Sequence, residues 1–141
     1  MSAWTDSSKQ TPANVVASQR SNWGPSFEEV PGFPESALLS DYNWPWYDNQ
    51  SSGATDWVLV VNPNTTSVYY EIKIAGQLKT SGTLTAGASA APTFPGLMNG
   101  PVEMQAWTDS SKQTPANVVA SQRVDWNGYF NEVWGNKKTA R

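Results

Sequence analysis

The chain has 141 residues, a formal net charge of −3 and a sequence isoelectric point near 4.8, and it contains no Cys and no His. A chain of this length can bury roughly two-thirds of its unfolded surface, so it needs neither a disulfide nor a metal to hold a core. The missing Cys and His exclude thiol nucleophiles, serine–histidine triads, imidazole acid–base chemistry and most zinc or copper sites, and the mild acidity argues against a nucleic-acid partner.

The first element is the block "AWTDSSKQTPANVVASQR", Ala3 to Arg20. Its "AWT" reads as a strand end, "DSSKQTPA" as a polar loop and "NVVASQR" as an extended, β-branched strand. The start "MSAWTDSS" has neither a basic stretch nor an apolar core, so no signal peptide is expected in it. It reads as an initiator Met on a fragment. No run of eighteen apolar residues occurs, so no membrane insertion is expected.

A Pro/Gly-rich stretch, "GPSFEEVPGFPESALL", follows from Gly24 to Leu39 and predicts a wrapping segment with one helical turn at most. In "DYNWPWY", Pro45 predicts an edge or bent strand, with Trp44 and Trp46 on one face. "TDWVLVV" predicts a central strand covered on both faces, Trp57, Leu59 and Val61 on one side and Val58 and Val60 on the other. "NPNTT" ends it as a turn.

"SVYYEIKIAG" alternates, with Val68, Tyr70, Ile72 and Ile74 facing inward and Tyr69, Glu71 and Lys73 on a wet face. Two short strands are expected around Gly82 and Gly87. "GPVEMQAWT" then sets Val102, Met104 and Ala106 opposite Glu103, Gln105 and Trp107.

At Ala106 the opening block returns, identical through Arg123, at an offset of 103 residues (106 minus 3). Beyond it "SNWGPSFEEVPG" aligns with "VDWNGYFNEVWG", matching Trp23 with Trp126, Phe27 with Phe130, Glu29 with Glu132, Val30 with Val133 and Gly32 with Gly135. A period near 100 residues fits a small β-sandwich and is far too long for a helical or leucine-rich repeat. The fold class predicted is all-β, an antiparallel β-sandwich with a Pro/Gly-rich wrapping segment. Residues 1–32 would be a partial copy of a preceding repeat, 33–135 one full unit and 136–141 a C-terminal tail.

The succession "WPWYDN", "DWVLVVNPN", "LTAGAS", "NGPVEMQAW" and "VVASQRVDWNGYFNEVWG" resembles the β-sandwich modules repeated in tandem in large bacterial cell-surface or secreted proteins. The likeness covers Tyr42 to Gly135. It implies an immunoglobulin-like or related sandwich in an extracellular setting, and it carries over no catalytic residue. Such modules use lysine–asparagine isopeptide bonds, but Lys73 lies on the predicted wet face and offers no candidate.

Carboxylates are the remaining acid–base groups. Asp41, Asp48 and Asp56 flank the aromatic strand, and Glu28, Glu29 and Glu35 sit in the Pro-rich stretch. Their spacing picks out no glycosidase pair, and solvated surface charge is the plainer reading. Calcium among the three aspartates has no loop motif to support it. No metal and no cofactor is expected.

Trp44, Trp46 and Tyr47 are the ligand-binding candidates, as a platform on which a glycan would stack. Their plainer role is core. Arg20 and Arg123 read most plainly as surface charges, the alternative being buried arginines that clamp a carboxylate between strands. Asn49 and Asn64 match the glycosylation pattern, which recurs by chance.

The leading expectation is a non-catalytic spacer module of a tandem-repeat extracellular protein, used for extension or display. The alternative is a carbohydrate-binding or adhesion module. The partners expected are neighbouring repeats, a glycan in the alternative, and self-association through the duplicated segments. The first copy would either trail as a flap, or pair with the sandwich and bridge adjacent domains, or exchange with its twin between molecules.

Overall fold

The computed structural model describes residues 3–24, 26–32 and 34–137. The ends of the predicted domain limits, residues 1–2 and 138–141, lie outside the described residues. In chain order the elements are β1 (Ser18–Trp23), β2 (Ser26–Pro31), a 3-10 turn (Glu35–Ala37), β3 (Asp41–Trp44), β4 (Tyr47–Asp48), β5 (Ala54–Val61), β6 (Val68–Ile74), β7 (Gln77–Leu84), β8 (Ser89–Ala90), β9 (Met98–Asn99), β10 (Val102–Trp107), β11 (Val119–Trp126), β12 (Tyr129–Trp134) and β13 (Asn136–Lys137). No α-helix occurs among the described residues.

Two antiparallel sheets form a β-sandwich. One has the order β13-β3-β10-β6-β7 and the other β12-β11-β5-β8; β1 and β2 form a separate hairpin, and β4 pairs with β9. The period-two pattern of the sequence places the core between the sheets. Tyr42, Trp44, Val68, Tyr70, Ile72, Ile74, Val102, Met104 and Ala106 come from the five-stranded sheet, and Val58, Val60 and Ala120 from the four-stranded one, with Val118 just before β11. The hairpin turns carry the positive φ angles that two-residue connections require: Ala75 and Gly76 at 52° and 75° between β6 and β7, Asn127 and Gly128 at 54° and 84° between β11 and β12.

β5 is the central strand expected. Asp56, Val58 and Val60 point inward and are buried, while Trp57, Leu59 and Val61 are half-buried on the outer face. Pro45 separates β3 from β4, as a residue without an N–H must.

Three expectations change. The Pro/Gly-rich stretch is not wholly a wrap, because Ser26–Pro31 forms β2, with Pro31 at the strand end where its missing N–H costs no ladder bond. Beyond Phe33, which lies outside the described residues, the 3-10 turn leads to Leu39, which bridges Val118. The predicted tail begins as a strand, since Asn136 and Lys137 pair with Asn43 and Tyr42. Glu71, placed on a wet face, is buried, because Lys112 from the second copy's loop folds over it.

Candidate functional site

The duplicated segment builds the same local structure twice. In both loops an aspartate accepts the N–H two residues on, Ser8 to Asp6 at 2.9 Å and Ser111 to Asp109 at 2.8 Å. Lys9 and Lys112 follow with φ of 58° and 60°. Thr5 N–H reaches Thr11 O at 3.0 Å and Thr108 N–H reaches Thr114 O at 2.9 Å. An aspartate-anchored turn is satisfied by its own backbone, so the shape survives a change of surroundings.

The hairpins match as well. β1 pairs with β2 from Ser18↔Pro31 to Trp23↔Ser26, and β11 with β12 from Ser121↔Trp134 to Trp126↔Tyr129. Each carries one cross-strand clamp. Arg20 Nη2 donates to Glu29 at 2.8 Å and Arg123 Nη2 to Glu132 at 2.6 Å, with Ser18 and Ser121 hydroxyls donating to the same glutamates at 2.6 Å. Both arginines pair across their hairpins as surface residues, with side chains 65% and 40% exposed, and not as buried clamps. The Ser18 hydroxyl, and after it Arg20, hold the Glu29 carboxyl below its ordinary pKa, and the hydrogen bond to Glu29 holds Arg20 above its own.

What differs is the company each hairpin keeps. β11 lies between β12 and β5, whereas β1 is paired with β2 alone among the described strands. The first copy therefore does not join the sandwich by strand pairing. It docks through side chains of β2 onto the open edge of β12. Glu28 accepts the Glu132 N–H through both oxygens, at 2.8 and 2.7 Å, and Ser26 Oγ accepts the Phe130 N–H at 3.3 Å. These are edge-strand donors that would otherwise face water or another chain. Behind this contact the hairpin lies over the outer face of β5. Ser21 and Asn22 face Trp57, Leu59, Arg123 and Phe130 across a cleft of about 480 Å³.

The second copy's place in the sandwich is demanding. Gln122 Nε2 donates to Asp56 Oδ2 at 2.5 Å and to Trp46 O at 2.7 Å. Burial pushes the Asp56 carboxyl up to about 6, and its Oδ1 has no hydrogen-bond partner among the described residues. A Cβ on Gly135 would stand 2.7 Å from the Trp44 ring and 2.8 Å from Tyr42 Cβ. Lys112 contacts buried Glu71 and holds its carboxyl below the usual range, opposed by desolvation. In the first copy the matching Gln19 and Lys9 are exposed.

The aromatic candidates are not brought together. Trp44 and Tyr47 are 1% and 0% exposed and belong to the core, while Trp46, turned out at Pro45, is 51% exposed. Trp44 Nε1 donates to Val133 O at 2.9 Å and Tyr47 OH to Asp56 O at 2.8 Å, so both are fixed as structural ties. The three do not form one platform.

Asp41, Asp48 and Asp56 do not form a cation cage, and no cluster of acidic side chains fit for a metal occurs among the described residues. Asn49 and Asn64 both use their amides, on Thr93 Oγ and on Asn62 and Asn117.

Sequence reasoning missed Glu28 as a docking residue and Asn62 as a buried organiser. Asn62 donates to the carbonyls of Thr66, Leu84 and Thr85 and accepts from Asn64. An Asn flanked by a strand and a Pro carried that signal. Nothing along the chain marks Glu28, whose counterpart is Asn131.

No family model, curated protein or solved structure matches this chain.

Proposed function

We propose that the chain is a non-catalytic structural module of a tandem-repeat protein displayed outside a bacterial cell, an immunoglobulin-like or related sandwich used for extension or display. In this reading the hairpin ahead of each sandwich docks on it and stiffens the joint between units. The observation that carries the reading is the seating of Glu28 and Ser26 on the β12 edge, which joins a segment of one repeat period to the sandwich of the next. The same contact shields an edge strand, a need that long arrays of sandwiches share.

Deleting residues 3–32 tests it. A joint that stiffens the array makes the truncated chain melt several degrees lower, since each kcal/mol lost shifts the midpoint of a chain this size by about 3–5 °C. An unchanged midpoint would show that the first copy is only a trailing flap.

A further inference from the structure

The first copy carries the residues of a place that it does not occupy. Val118 is fully buried in the core, and its identical counterpart Val15 is 58% exposed. Gln122 binds a buried aspartate, and Gln19 is exposed. Gly135 is required because any side chain would strike Trp44 and Tyr42. Gly32, at the same position of the first copy, has a milder local constraint: an added Cβ would meet Ala17 O at 3.2 Å, its φ is not in the left-handed region, and yet it too is glycine. The Arg–Glu–Ser clamp that shapes the hairpin is complete in both copies.

We infer that the free edge of β1 is a strand-pairing surface whose partner is β5 of a second copy of this unit, so that hairpin 18–32 closes that copy's sandwich in the place held here by β11 and β12. The register follows from the pairing of β11 with β5. Val119 faces Val61 and Arg123 faces Trp57, so Val16 would face Val61 and Arg20 would face Trp57. Through Arg20 the arriving strand is identical to the one displaced, so the inward contacts of Val118, Ala120 and Gln122 are remade by Val15, Ala17 and Gln19. Preference for the resident copy comes from what lies beyond, where Ser21 replaces Val124 and Pro31 replaces Trp134. The resident copy is also tethered, an advantage equivalent to a local concentration in the millimolar range. The contact is heterologous: the first copy of one molecule fills the slot of the next, and each molecule offers both, so association propagates head to tail.

The inference rests on both copies being versions of one structural unit. Exchange takes the hairpin away from its own β12 edge, so the docking opposes it; the deletion reads the docking and the mixed disulfide reads the exchange.

The chain has no cysteine, which makes single-cysteine variants clean probes. Full-length Val16→Cys and Val61→Cys chains are mixed, unfolded in urea, refolded together near millimolar concentration and oxidised gently. Because the cysteines are on different chains, any mixed disulfide is intermolecular. Exchange predicts a Val16–Val61 heterodimer about fivefold above that of a control pairing of Val16→Cys with Ser81→Cys, on the edge strand of the other sheet. Adding Gly135→Ala to the Val61→Cys chain weakens its resident hairpin and raises the yield further. Heterodimer no higher than the control in both mixtures, with strictly monomeric light scattering, overturns the inference.

Discussion

The carboxylate of Glu28 accepts the backbone N–H of Glu132 through both its oxygens, joining two positions 104 residues apart. Glu132 belongs to the clamp of its own hairpin, while Glu28 stands next to the residue, Glu29, that plays the same clamping part in the other. One glutamate of the pair "EE" therefore holds its hairpin together and its neighbour ties that hairpin to the sandwich. Glu28→Ala removes a charged acceptor from a half-buried amide. The expected cost is about 1 kcal/mol, read as a lower urea midpoint with an unchanged slope.

Twin substitutions separate local sequence from surroundings. Lys112→Ala strips buried Glu71 of its closer cation, leaving Lys73 at 3.7 Å. It should lower the denaturation midpoint, by an amount that solvent limits because the Lys112 side chain is 43% exposed while that of Glu71 is 5% exposed. Lys9→Ala removes the same residue from the same turn, where its neighbour is the Trp4 ring at 5.4 Å. Its effect should stay within about 0.5 kcal/mol. Chemical denaturation of the two variants beside the parent decides, and equal effects would contradict the contrast.

Asp56 sets a pH dependence. Its pKa is about 6 in the fold against an ordinary 3.8, with burial as the largest cause. Between these values the folded chain binds more protons than the unfolded chain, so this group's contribution is fully present below pH 4 and is lost as pH rises through 6. The difference is on the order of 2–3 kcal/mol. Glu71 works in the opposite sense. Its lowered pKa gives stability above its unfolded value that is lost on further acidification. Stability should therefore rise from pH 7 to about 5 and fall below about 4. In Asp56→Asn the rise between 7 and 5 should vanish, with Gln122 still able to donate to the amide oxygen. Denaturation midpoints across this range measure it.

The two matched glycines should part company when changed. Gly135→Ala drives a methyl group against Trp44 and Tyr42 and should cost about 1–3 kcal/mol through overpacking. Gly32→Ala should cost less than half of that, since only the Ala17 carbonyl must give way. Thermal melts of both variants provide the comparison.

Much of the fold was legible because its signals are local. The alternation in "SVYYEIKI" and "PVEMQAW" named the inward residues Val68, Tyr70, Ile72, Ile74, Val102, Met104 and Ala106, and all are buried. Pro45 broke its strand where expected.

The misses share a cause: each depends on a partner distant along the chain. Glu71 occupies a wet register position and is buried only because Lys112 arrives from 41 residues away (112 minus 71). The period-two rule put Trp44 and Trp46 on one face, but the kink at Pro45 ended the strand and turned Trp46 outward. The duplication itself was plain in the sequence, whereas the burial of Val118 beside the exposure of Val15 needed three dimensions.

Amide hydrogen exchange at Phe130 and Glu132 tests the seating of the first copy on the sandwich most directly. These N–H groups lie on the outer edge of β12 and are held by Ser26 and Glu28 of the other copy. The account predicts that both are protected in the intact chain, that Glu132 becomes fast in Glu28→Ala, and that both become fast in the chain lacking residues 3–32, while amides of β5 and β11 stay slow. Exchange of Phe130 and Glu132 at the rate of a free edge strand in the intact chain would contradict it.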